Sequence, residues 1–210
     1  MRALIFADGE MPSAALVHEL REQAELVVAA DGAADKALAA GIEPDAVVGD
    51  LDSISDAARA RLGPDRLRLV PSRDETDLQK AIDFCLERGC SAIDIVAAGG
   101  GRADHALANL SVLCLFRGPC RIRIIDDLFE IELVQQSAVI EAPAGTVVSL
   151  VAIGPCEGVT TRGLRWDLSD YALGFSPYGV HNEVRTVPAT VLVRRGDLLL
   201  FRGRWVEKHA

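Results

Sequence analysis

The sequence predicts an α/β protein. It reads as an open, mostly parallel sheet with helices on both faces over residues 1–128, followed by an all-β sandwich-like domain over 129–210. Three observations predict it. Short apolar runs alternate with amphipathic helical segments up to about residue 128, the pattern of a sheet wound by crossover helices. Beyond about residue 130 the helical period disappears, and short β-prone segments are punctuated by Gly145, Gly154-Pro155, Gly163, Gly174, Pro177, Gly179 and Gly196. The chain has 210 residues, half of them apolar and a quarter charged, which is enough for a full core and unlike a disordered chain.

A first strand over 3–7 ends at Asp8-Gly9, and 12–23 has a helical pattern. A strand over 25–30 stops at Asp31-Gly32, and a helix over 33–40 is closed by Gly41. A third strand over 46–48 leads into Gly49-Asp50-Leu51-Asp52-Ser53, then a helix over 55–62 and a strand over 67–70. The clearest helix runs from Thr76 to Arg88. Leu78, Ala81, Ile82, Cys85 and Leu86 form one apolar stripe along it, and Gly89 stops it. A strand over 93–97 precedes three glycines. A helix over 104–116 carries Leu107, Leu110 and Cys114 on one face, and 121–125 is a sixth strand. The second part holds short strands at 131–135, 137–142, 146–153, 157–161, 184–187, 190–195 and 198–202.

Charge narrows the function. The net charge of −9 argues against nucleic acid or an anionic membrane as partner. Residues 1–128 hold 22 of the 31 acids, including 15 of the 18 Asp. Asp at loop positions suits metal ligation or helix capping better than a solvated helical face. Five cysteines without a CxxC pair fit neither a zinc site nor a disulfide framework. No apolar run approaches the roughly 18 residues of a membrane helix. The stretch before Asp8 is too short for a signal peptide, so a cytoplasmic protein is expected.

In open parallel sheets the ligand sits beyond the carboxyl ends of the strands. Asp8, Asp31, Asp50, Asp52 and Asp104 each follow a predicted strand. Asp50 and Asp52, two apart on one loop, can aim hard oxygens at Mg²⁺; a turn with Ser53 as helix cap explains the same residues. In Arg73-Asp74-Glu75-Thr76-Asp77-Leu78-Gln79-Lys80, the start of the helix offers free N–H groups and Lys80 a charge for phosphate. A well-capped surface helix is the alternative. Gly99-Gly100-Gly101-Arg102-Ala103-Asp104-His105 lets backbone approach a ligand closely, with Arg102 placed to meet phosphate. It matches neither GxxxxGK[ST] nor GxGxxG. His105 is either a ligand contact or a cap. In the β part, Pro177-Tyr178-Gly179-Val180-His181-Asn182-Glu183 is either a polar heterocycle site or a plain turn.

Taken together, Asp31-Gly32-Ala33, Gly49-Asp50-Leu51-Asp52-Ser53, Asp74-Glu75-Thr76-Asp77-Leu78-Gln79-Lys80 and Gly100-Gly101-Arg102-Ala103-Asp104-His105 resemble the thiamine pyrophosphokinase (thiamine diphosphokinase) family. Gly163-Leu164-Arg165-Trp166-Asp167-Leu168 and Val180-His181-Asn182-Glu183 resemble its second domain. Where the family usually has Ser-Asn-Glu, this chain has His181-Asn182-Glu183.

The resemblance implies an ATP- and Mg²⁺-binding catalytic domain over 1–128, a thiamine-binding and dimerisation domain over 129–210, and a homodimer with shared sites. It implies transfer of the pyrophosphoryl group of ATP to the hydroxyl of thiamine, leaving AMP. It makes Asp31, Asp50, Asp52 and Asp77 the catalytic group, with Asp50, Asp52 and Asp77 as metal ligands. Asp74, Thr76, Lys80, Gly100, Gly101, Arg102, Asp104 and His105 fall on the ATP side, His181 and Asn182 on the thiamine side. Pyrophosphorylation of another alcohol, such as a hydroxymethyl pterin, and a non-catalytic nucleotide sensor are the competing readings.

Overall fold

The structure is a computed structural model that describes residues 1–72 and 74–206; Arg73, which opens one of the motifs above, lies outside the described residues. The chain divides into two compact units, Met1–Asp127 and a second beginning at Leu128.

The first unit alternates strands and helices: β1 (Arg2–Phe6), α1 (Ala14–Gln23), β2 (Leu26–Ala30), α2 (Ala33–Ala39), β3 (Ala46–Gly49), α3 (Asp56–Leu62), β4 (Leu67–Leu69), α4 (Asp77–Glu87), β5 (Ala92–Val96), α5 (Ala103–Val112) and β6 (Arg121–Ile125). Its strands are all parallel, in the order β6-β5-β1-β2-β3-β4. Except for the edge strand β4, where Arg68 and Leu69 are exposed, they are apolar almost throughout because both faces are covered. Leu16, Val17 and Leu20 of α1, Ala33, Ala34 and Ala37 of α2, and Ala58 and Leu62 of α3 pack with Leu4, Phe6, Val27, Ala29 and Val47. The alternate strand residues Ile5, Val28 and Val48, also buried, point to the other face. There α4 crosses β1, β2 and β3 and buries Leu78, Ala81, Ile82 and Cys85, the stripe read from the sequence.

Helix starts are set by local capping. Ser13, Ser55 and Thr76 each accept an N–H from the first turn of α1, α3 and α4. After α4, Cys90 N–H reaches back to the carbonyl of Cys85 at 3.1 Å, the closure expected where Gly89 takes a positive φ. None of the five cysteines is in a disulfide among the described residues. Burial pushes the Cys85 thiol far above its usual range, so this side chain is packing rather than chemistry. Helix α5 is shorter than its apolar pattern suggests: Leu113, Cys114 and Leu115 bond back three residues, not four, tightening the end into a turn.

The second unit holds β7 (Phe129–Val134), β8 (Ser137–Ile140), β9 (Thr146–Ala152), β10 (Cys156–Arg162), β11 (Tyr171–Leu173), β12 (Asn182–Glu183), β13 (Ala189–Leu192) and β14 (Leu198–Val206). Antiparallel layers β12-β9-β14-β7 and β11-β10-β13-β8 face each other across one core. Val134, Val148, Leu150, Leu198 and Leu200 come from one layer; Ile140, Val159, Leu173 and Val191 come from the other. This is a sandwich. Strand β11 escapes the sequence pattern because three residues cannot display an alternation. The strand expected over 184–187 is displaced to Asn182–Glu183, because Arg185 and Thr186 turn their N–H groups to the Gly163 carbonyl instead.

The fully buried Ile82 anchors α4 on the sheet. Ile82→Ala should cost about 3 kcal/mol by lost transfer energy and a residual cavity, read as a lower urea midpoint with an unchanged m-value.

Candidate active site

The chain steps from β1 outward through β2, β3 and β4, then returns to place β5 on the other side of β1. Strand order reverses between β1 and β5, and a crevice opens beyond their carboxyl ends at such a point. It is a cleft of about 840 Å³ whose walls are the loops after β1, β2, β3 and β5 and the first turns of α4 and α5.

Its floor is acidic. Asp31, Asp50 and Asp77 each bring a carboxylate oxygen within 4.8 Å of the others. Asp31 is buried and takes a positive φ of 42°. Its two oxygens accept the N–H groups of Ser53 at 3.2 Å and Ile54 at 3.1 Å, which folds the loop after β3 over it. Burial pushes the Asp31 carboxyl above the usual carboxylate range, and the charges of Asp77 and Asp50 push it further, against the two hydrogen bonds. Asp52 lines the same cleft, but its carboxylate accepts the Ser53 hydroxyl at 2.7 Å, and its N–H donates to Asp50 at 3.3 Å. The structure thus gathers Asp31 rather than Asp52 with Asp50 and Asp77.

At the start of α4, Thr76 spends its hydroxyl on the Gln79 N–H at 3.2 Å. One turn on, the buried Lys80 extends Nζ to Asp77 Oδ1 at 2.9 Å, its side chain only 2% exposed. A charge so enclosed is held by its partner. Asp74, exposed, precedes this turn and does not line the cleft.

The opposite wall is the glycine segment. Gly100 and Gly101 have φ of 75° and 61°, and with Arg102 and His105 they line the cleft. Arg102 forks onto Asp104 at 2.6 and 3.1 Å. That contact, chiefly, holds the Asp104 carboxyl down at about 2. Both side chains face solvent, so an incoming phosphate can compete for the guanidinium.

In the second unit, Asn182 is consumed by backbone. Its amide donates to the Trp166 carbonyl at 2.8 Å and accepts the N–H groups of Trp166 at 3.1 Å and Glu183 at 2.8 Å. It fixes a loop that displays Trp166, 55% exposed, with the Arg165 guanidinium 4.8 Å from its ring. His181 has φ 58° and donates its N–H to Ser149 Oγ at 2.9 Å. Nearby in sequence, Tyr171 and Tyr178 stack at 5.3 Å.

Among the residues to which the sequence assigned no role, two shape the first site. Gly49 is one: a Cβ there would fall 2.8 Å from Asp31 Cβ and 3.0 Å from an Asp77 oxygen, so only glycine permits the carboxylates to converge. Lys36 is the other. Its Nζ binds the carbonyls of Asp8 at 2.6 Å and Gly9 at 2.8 Å, and the Asp8 carboxylate at 2.8 Å. Its position one turn into α2, like that of Lys80 in α4, was the available signal.

The raised Asp31 value has a sign. The folded state binds this proton more tightly than the unfolded one, so Asp31 contributes stability as pH falls through its folded pKa and loses it as pH rises. Asp50→Asn removes one repelling charge while keeping an acceptor for Asp52 N–H. It should shift the Asp31 titration downward and leave the metal-free protein at least as stable at pH 7, measured by carboxyl NMR titration and urea denaturation.

Comparison with known proteins identifies the family. A family model described as the thiamin pyrophosphokinase catalytic domain matches residues 17–124, and one described as the thiamin pyrophosphokinase vitamin B1 binding domain matches 131–197. Thiamine pyrophosphokinase 1 of Arabidopsis thaliana is 31% identical over 189 residues, covering 74% of this chain and 69% of that one. Thiamine pyrophosphokinase of Bacillus subtilis is 37% identical over 102 residues, covering 46% of this chain and 47%, about half, of its own length. A crystal structure of the Bacillus subtilis enzyme superimposes with a TM-score of 0.82 at 27% identity, over 97% of this chain and 99% of that one. The chain belongs to the thiamine pyrophosphokinase family.

Proposed function

We propose that the protein transfers the pyrophosphoryl group of ATP to the hydroxyl of thiamine, giving thiamine diphosphate and AMP. The observation that carries this is the Asp31, Asp50, Asp77 cluster beside a buried Lys80, across the cleft from a glycine turn and Arg102. Such a transfer asks for charge neutralisation and in-line positioning rather than a covalent nucleophile. The match to both thiamin pyrophosphokinase domain models favours this reading over a non-catalytic sensor.

The donor set fits Mg²⁺: hard carboxylate oxygens, mutually repelling and open to the cleft. Asp50 and Asp77 would hold it, with Asp52 on the same loop. Asp31, its oxygens bound to the loop amides, supports that loop. When bound, Mg²⁺ neutralises the phosphates. Lys80 keeps Asp77 in one position. Arg102, released from Asp104, takes a phosphate oxygen, and the first turn of α5 adds N–H groups. Asp77 is paired with the Lys80 ammonium, whose charge opposes proton uptake, whereas Asp52 meets only the neutral Ser53 hydroxyl; Asp52 is therefore the residue to accept the thiamine hydroxyl proton.

The thiamine side belongs to the loop of His181 and Asn182. Asn182 acts there through the Trp166 loop that it holds, presenting a flat ring to a heterocycle. The reading includes a homodimer with sites shared between subunits. It also includes a cytoplasmic location, in keeping with five cysteines outside any disulfide. Among the described residues no helix is long and apolar enough to cross a membrane.

The test is AMP release from ATP with thiamine and with other alcohols. Thiamine should be required, and thiamine diphosphate should form in equal amount; AMP formed with a pterin alcohol instead would overturn the assignment. Asp50→Asn and Asp52→Asn should each lower kcat by at least about a hundredfold in folded protein. Arg102→Ala should raise the KM for ATP more than that for thiamine. Asn182→Ala should do the reverse, and light scattering should give twice the mass of one chain.

A further inference from the structure

The crevice between β1 and β5 is spanned by one acidic side chain that the reading above does not use. The loop after β1 stays paired to the loop after β5: Gly9 N–H donates to the Ala97 carbonyl at 2.6 Å, and Glu10 N–H to the Gly99 carbonyl at 2.8 Å. Beyond that pair backbone contact ends and a side chain continues it. Glu10 Oε1 accepts the Gly101 N–H at 3.3 Å, and its Cγ and Cδ lie against Gly100, where a Cβ would fall 2.4 Å from them. Gly100 and Gly101 both hold positive φ, and a run of three glycines has the greatest freedom to leave such a geometry. The segment leads straight into Arg102 and the first turn of α5.

Resting on the pyrophosphokinase reading, we propose that Glu10 is a positioning residue for the nucleotide. Its carboxylate ties the β1 loop to the glycine turn, and so fixes the direction in which Arg102 and the start of α5 face the phosphates. The bond is to Gly101 N–H, ahead of α5, which begins at Ala103, so it takes none of the N–H groups of the helix's first turn. Glu10 therefore orients the cradle without occupying it. A neutral amide can make the same bond, because the contact needs an acceptor of this length rather than a charge.

The experiment compares Glu10→Ala and Glu10→Gln. Glu10→Ala should raise the KM for ATP about fivefold, the size of one net hydrogen bond, with kcat and the KM for thiamine nearly unchanged. Amide exchange at Gly101 should accelerate. Glu10→Gln should restore both readouts to near wild type. Equal defects in the two variants would show that charge, not the tie, matters and would overturn the proposal. A lower KM for ATP in either would make Glu10 a competitor of phosphate and overturn it too. Failure of the activity reading is separable: wild-type protein would then release no AMP with thiamine. The Glu10 effect would still be read from Gly101 exchange and from the equilibrium affinity for ATP without thiamine. An unchanged exchange rate and affinity in Glu10→Ala would end the proposal.

Discussion

Everything in the first unit's cleft follows from forcing three carboxylates into one space. At an effective dielectric constant of about 20, two full charges at the 4.8 Å that bounds these separations repel by roughly 3 kcal/mol, and by less where Asp50 meets water. The fold offsets this in three ways. Two backbone N–H groups satisfy Asp31, Lys80 is buried against Asp77, and Gly49 leaves the room that a Cβ would fill. The remaining repulsion is strain stored where a cation would relieve it, a common trade of stability for function.

The supports of that cluster reach outward through the loops. Asp35 of α2 accepts the Ser55 N–H at 3.0 Å as well as its hydroxyl, so the residue that caps α3 also secures the end of the Asp50 loop. Arg59 of α3 donates to the Leu51 carbonyl of the same loop. Lys36 gathers the carbonyls of the β1 loop. The loops are thus held by side chains of the short helices beside them, and the helices are held by an alanine-rich core that lets them pack close to the sheet.

The second unit uses the same logic, side chains satisfying the backbone of exposed loops. Asn182 satisfies donors and acceptors of the Trp166 backbone. Asp167 does likewise for the turn before it, accepting the Thr161 hydroxyl at 3.0 Å and the N–H groups of Gly163 at 3.2 Å and Leu164 at 3.1 Å. A loop pinned at both ends can expose an indole without the backbone following it into solvent. His181 falls at a positive-φ position whose N–H, not its ring, makes the structural bond to Ser149. The imidazole can therefore vary while the loop keeps its shape.

The sequence by itself determined the alternation of strands and helices, the α4 stripe, the change to β structure near residue 130 and the order of the acidic and glycine motifs. Each of these is a local property: hydrophobic period, capping and turn chemistry act over a few residues. Only the tertiary structure decided which carboxylates meet. Asp31 and Asp77 are far apart in sequence and converge because β2, β3 and the start of α4 end at one edge of the sheet, with Gly49 between them. Asp52, adjacent in the motif, turns to Ser53 instead. The same holds for Glu10 and Gly101, and for Asn182 and Trp166. Each pair is joined by a hydrogen bond across a long loop closure. No window of sequence contains both partners of such a bond, so no period or propensity could announce it.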